Sequence, residues 1–225
     1  MVKRLAFFLP ALFAARALSQ AATPAASVAS QFSLSTSTTL PFPKATLDNS
    51  GTQSFITSNW GLSKGRIANG ASNLLFVNDP FSNASTSNSS SSGPVLQVQY
   101  AAGSFEDNDT GGAQFYAMWN SSSGTAYESM MLSYEVAFDS GFDWRKGGKL
   151  PGLRGGPDPN NCSGGHQANG TNCFTTRLMW RTNGAGESES VLPRWWVGSC
   201  GGSHATCAKY TLMYRGRTTS ARSRT

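Results

Sequence analysis

Short runs of β-forming residues, several of them alternating with polar ones, recur along the chain between loops of Gly, Ser and Asn. They are "NLLFVND" from residue 73, "PVLQVQYAA" from 94, "GAQFYAMWN" from 112, "ESMMLSYEVAFDS" from 128 and "CFTTRLMWRT" from 173. Each predicts a strand, and no stretch carries a 3.6-residue period long enough to predict a helix of three turns. Many strands joined by polar loops point to an all-β fold, an antiparallel β-jelly roll or β-sandwich whose concave face takes an extended ligand.

The alternation also assigns faces. In "CFTTRLMWR" a period of two puts Thr175, Arg177 and Met179 on one side and Phe174, Thr176, Leu178 and Trp180 on the other. In "GAQFYAMW", Gln114 and Tyr116 share a side opposite Phe115 and Ala117. Two readings of such a polar side stand: a sheet face built to hydrogen-bond a ligand, or an ordinary solvated face.

The ends differ from the body. Residues 1–19, with Lys3 and Arg4 ahead of an apolar run and small Ala17 and Ser19 after it, predict a secretory signal peptide. Residues 20–40 read as a flexible lead-in rich in Ala, Ser and Thr, 41–187 as the folded domain, and 188–225 as an aberrant basic tail with no strand pattern. No later segment approaches the roughly 20 apolar residues of a membrane span. A secreted, extracellular protein is therefore expected.

Six sequons, at Asn83, Asn88, Asn108, Asn120, Asn161 and Asn169, fit a glycoprotein. Cys162 and Cys173 enclose a Gly-rich loop and predict a disulfide in an oxidising compartment. His166 lies between them, but no four-ligand zinc spacing accompanies it, and no metal or other cofactor is expected.

The formal charge of +6 belongs to the ends: residues 20–187 hold nine basic and eleven acidic residues. The basic balance is thus no argument for nucleic acid. One local concentration matters more, because a cleft focuses field where a whole surface does not. Residues 141–156, "GFDWRKGGKLPGLRGG", place four cations and six glycines in sixteen positions. They predict a constrained cationic corner at the end of a strand, with Lys149 held among Arg145, Lys146 and Arg154, neighbours that favour its neutral, basic form. Arg177 offers a bidentate partner for a carboxylate.

With these residues in view, "MLSYEVAFDSGFDWRKGGKLPGLRGG", "CFTTRLMWRTNGAGE" and the upstream "GGAQFYAMW" closely resemble fungal members of polysaccharide lyase family 14 over about residues 94–187. The resemblance implies a β-jelly roll that cleaves uronic-acid polysaccharides by β-elimination without an organic cofactor, a carbon–oxygen lyase acting as a monomer on an acidic polysaccharide. It matches Lys149 to the family's catalytic lysine, Arg177 to its sheet arginine and Thr175 to a hydroxyl position. Gln114, Tyr116, Lys146 and His166 are expected to bind substrate. The bland reading of Lys149 is a solvated turn lysine, and that of His166 a loop histidine.

One departure stands out. The family carries a Tyr-x-Tyr pair on the strand after the arginine, whereas "GESESVLP" places Glu189 and Val191 there. Either a frameshift or an unspliced intron alters the coding sequence near residue 187, or the chain has diverged into a noncatalytic carbohydrate-binding or cell-wall glycoprotein.

Overall fold

The computed structural model describes residues 24–80, 93–104, 111–119, 127, 129–139, 141–156, 162, 168–169, 172–191 and 207–215, the last stretch and residues 189–191 by their backbone. Seven strands are present among them: β1 Leu74–Val77, β2 Val95–Val98, β3 Ser129–Ala137, β4 Gly148–Gly155, β5 Phe174–Trp180, β6 Gly186–Val191 and β7 Cys207–Arg215. All their pairings are antiparallel: β1 with β2, β3 with β7, and β4–β5–β6 as a three-stranded sheet. The expected predominance of antiparallel strands is observed.

Two expectations about local structure need correction. A three-turn helix does exist, α2 at Asn49–Asn59, in addition to a short exposed α1 at Ala25–Gln31 within the lead-in. The α2 sequence NSGTQSFITSN is too polar and too poor in strong helix formers to announce itself, so burial decides it. Asp48 caps it by accepting from Gly51 N–H at 2.7 Å. Thr52, Ile56 and Trp60, spaced by four, then form its buried stripe. Inside, the Thr52 hydroxyl donates to Leu47 O and accepts from Phe76 N–H, so a fully buried polar group is satisfied on both sides. In the other direction, 112–119 forms no continuous strand: it touches 61–69 through isolated bridges at Leu62–Ala117 and Asn69–Gln114.

Strands also occur within 188–225, where the sequence offered no strand pattern. β6 crosses residue 187 as the edge of the three-stranded sheet, and β7 pairs residue for residue with the whole of β3, from Ala137–Cys207 to Ser129–Arg215. Basic residues scattered through 188–225 obscured the apolar alternation of "CAKYTLMYR".

Apolar packing gathers in two places. Ile56, Trp60, Leu62, Leu74 and Phe76 make one core, joined by Phe55, Leu96 and Phe115 at its margin. The second lies under the three-stranded sheet, where buried Leu153 and Phe174 pack on Met130 and Leu132 of β3. Beside it, Trp180 meets Tyr100, Phe138 and Phe142 edge-on, with ring centroids 5.4–5.7 Å apart. These contacts fix which side of β5 faces inward, and it is the Phe174, Leu178 and Trp180 side that the alternation predicts.

A candidate polysaccharide-binding face

The second half of the cationic stretch, Gly148–Gly155, proves to be a strand. β4 pairs with β5 through Gly148–Trp180 and Lys149–Met179, and then again through Gly152–Arg177, Leu153–Thr176 and Arg154–Thr175. Between the two stretches the register shifts, so that Leu150 and Pro151 together span the place opposite Leu178. This is a β-bulge, and Pro151 suits it because proline has no N–H for the ladder.

The bulge has a large consequence. Facing residues of an antiparallel pair lie on the same side of the sheet. Without the extra residue, Leu150 would face Met179 and Lys149 would turn to the apolar side with Trp180. With it, Lys149 is exposed and shares a side with Arg177, while Leu150 is partly buried and Leu153 buried on the other. Lys149 and Arg177 are diagonal neighbours across the β4–β5 ladder, about 7–8 Å apart.

Two glycines permit this arrangement. A Cβ at Gly152 would run into Thr176 O and the Cα of Arg177, and one at Gly148 would overlap the Trp180 ring. The glycine richness of 141–156 therefore serves close strand approach at these positions.

The face continues toward the 112–119 segment. The Arg154 guanidinium lies 5.1 Å from the centre of the Tyr116 ring, a cation–π contact. Gln114 Nε2 donates to the Tyr116 hydroxyl at 2.5 Å, and Asn69 Nδ2 donates to Gln114 Oε1 at 3.3 Å. Thr175, opposite Arg154, is buried; Arg177 is half-buried, with its Nε shielded from solvent. Asn69, Gln114, Tyr116, Arg154, Thr175, Arg177 and Lys149 thus make one polar band. Arg154 and Asn69 were not singled out as binding residues by the sequence; the register and ring contact reveal the first, and the isolated bridge the second.

On the other flank, β6 places Val191 opposite Thr175, Glu189 opposite Arg177 and Glu187 opposite Met179. Glu187 accepts from Arg181 Nε and Nη2 at 2.5 and 3.0 Å, and this hydrogen bonding holds its carboxyl below the ordinary carboxylate range. The β5–β6 loop docks on the basic segment: Thr182 Oγ1 donates to Arg145 O at 3.1 Å and Asn183 N–H to Trp144 O at 3.1 Å.

Other predicted residues separate from this band. Lys146 is exposed and lies two residues before β4, outside the ladder. His166 and the sequons at Asn83, Asn88, Asn108, Asn120 and Asn161 lie outside the described residues. Asn169 is exposed, and its Oδ1 accepts from Asn172 N–H at 3.0 Å. The predicted Cys162–Cys173 disulfide is present, with its Cα atoms 5.9 Å apart and both cysteines buried at the entry to β5. Among the described residues, no group of three His, Cys, Asp or Glu could hold a metal ion, and no helix is long and apolar enough to cross a membrane.

Comparison with known proteins returns one family. Residues 88–219, more than half of the chain, match the family described as Polysaccharide lyase 14. No curated protein and no solved structure matches. The matched stretch contains the whole β4–β5–β6 face and extends beyond residue 187 through β6 and β7. The chain therefore belongs to the polysaccharide lyase 14 family.

Proposed function

We propose that the β4–β5–β6 face binds a polyuronate of the alginate or glucuronan type and cleaves it by β-elimination. The observation that carries this reading is the bulged register that sets exposed Lys149 on the same side of the sheet as half-buried Arg177. Arg177 offsets the C6 carboxylate charge, which acidifies the C5 proton. Lys149 takes that proton as the base, the electron pair left at C5 forms the C4–C5 double bond, and the C4–O4 bond breaks. Gln114 and Tyr116 hold sugar hydroxyls, Thr175 is buried beneath them opposite Arg154, and Lys146 lies nearer the rim. With Glu189 and Val191 in place of the family's phenols, the departing O4 takes its proton from water, so turnover is slow. In the same reading the sheets belong to a jelly roll, and the chain is exported as a monomeric glycoprotein after loss of residues 1–19.

A second reading, a noncatalytic carbohydrate-binding or cell-wall protein, is favoured by one observation: β6 puts Glu189 and Val191 at the ladder positions opposite Arg177 and Thr175. The two are told apart by following the ultraviolet absorbance of unsaturated uronate on alginate and glucuronan while measuring binding to both. Product formation supports the lyase reading. Binding without product supports the second, and equal binding to cellulose and alginate rejects a carboxylate-selective groove in either. Sequencing the transcript across codons 180–225 decides whether Glu189 and Val191 are encoded.

A further inference from the structure

The bulge between Lys149 and Gly152 decides which side of the sheet Lys149 occupies, so whatever holds the bulge controls the proposed base. Pro151 contributes no ladder N–H, but its carbonyl does have a partner. Tyr134, reaching across from β3, donates its hydroxyl to Pro151 O at 3.0 Å. Its strand is anchored independently of that bond: Met130 and Leu132, on the same side of β3 as Tyr134, pack on Leu153 and Phe174. Tyr134 is thus a fixed donor aimed at the one carbonyl where β4 departs from regular pairing.

We infer that Tyr134 is a positioning residue: by holding the carbonyl of Pro151 it pins the bulge, and through the bulge it keeps Lys149 on the face of Arg177. A one-residue slip at this point has a discrete result, since it exchanges Lys149 for Leu150 opposite Met179 and turns the lysine toward the apolar side. Loss of the Tyr134 bond should therefore act on the face as loss of Lys149 does. The inference rests on the polyuronate reading for its binding consequence but not for its structural one.

The test uses the full-length secreted chain and two readouts. One is the set of nuclear Overhauser contacts between residue 179 and residues 149 or 150, which reports the register directly. The other is the Kd for polymannuronate and for glucuronan, measured in a double-mutant cycle. In Tyr134→Phe, contacts from Met179 to Lys149 should give way to contacts to Leu150, and Kd should rise about tenfold or more, as in Lys149→Ala, the range for losing one charge-assisted hydrogen bond to the ligand. Adding Tyr134→Phe to Lys149→Ala should produce no further rise. Intact 149–179 contacts in Tyr134→Phe, or an equal rise in Kd on the Lys149→Ala background, would overturn the inference.

Pro151→Ala asks whether the proline holds the bulge instead, and it serves even where Tyr134→Phe does not fold. With Tyr134 still bonded to the residue 151 carbonyl, the 149–179 contacts should persist; their loss would assign the register to proline and reject the role of Tyr134. If Lys149→Ala alone leaves both Kd values unchanged, the polyuronate reading fails while the register contacts still judge Tyr134.

Discussion

The two neighbours of β5 have had different fates. On one flank, β4 brings Lys149, Gly152 and Arg154 into the face with a bulge, two glycines chosen for close approach, and a tyrosine from another sheet supporting the turn of the chain. On the other flank, β6 pairs in regular register along its full length and carries Glu189 and Val191 opposite Arg177 and Thr175, where the family resemblance leads one to expect tyrosines. A strand ladder is made of backbone groups and tolerates exchange of outward side chains, whereas proton transfer depends on particular ones. Regular pairing on one flank therefore says nothing of its chemistry, whereas on the other the pairing itself sets which side chains face Arg177.

The largest expected effect comes from making the flanks alike. Glu189→Tyr with Val191→Tyr should raise the rate of unsaturated-uronate formation by about 10²–10⁴-fold, the range for a positioned general acid or base. An unchanged rate would mean that β6 is not what limits this chain. In that double variant, Lys149→Ala and Arg177→Ala should each abolish most of the gained activity, and Lys149→Ala should leave thermal unfolding where it was because Lys149 is exposed; full activity in Lys149→Ala would remove it as the base.

Effects on stability come next. Replacing Cys162 and Cys173 together by Ser should cost on the order of 3 kcal/mol in urea unfolding, since the crosslink closes a short loop and both cysteines are buried. Gly152→Ala should cost about 1–3 kcal/mol, because its methyl group meets backbone rather than a movable side chain. The matching change on the other flank, Gly186→Ala, has open space around it and should be near neutral, so equal costs would contradict the close approach of β4 alone.

The smallest effect is electrostatic. Glu187 has its carboxyl lowered by the Arg181 hydrogen bonds, so its contribution to stability is present above the unfolded carboxylate range and disappears as pH falls through the lowered folded value. Tm of the parent should exceed that of Glu187→Gln slightly at neutral pH and low salt, with the difference vanishing in acid. Both side chains are nearly half exposed, so salt should shrink the difference as well. A gap that persists in acid would assign the effect to packing.

Local pattern was enough for several features. Alternation in "CFTTRLMWR" separates Arg177 from Leu178 and Trp180 because adjacent residues of a strand point oppositely, and the disulfide follows from two cysteines around a flexible loop. It was not enough for α2, whose polar sequence becomes helical through the burial of Thr52, Ile56 and Trp60 against β1. Nor did it disclose β7, whose pairing partner lies some eighty residues upstream.

What the sequence by itself determined is the inventory: an antiparallel β protein, its family, and a lysine and an arginine suited to an acidic sugar. Only the tertiary structure decided that these two lie on one side of the sheet. Alternation places Lys149 in or out relative to its own neighbours, but its side relative to Arg177 depends on counting residues across the ladder. That count changes by one at the bulge, whose support includes the Tyr134 hydroxyl from a different sheet.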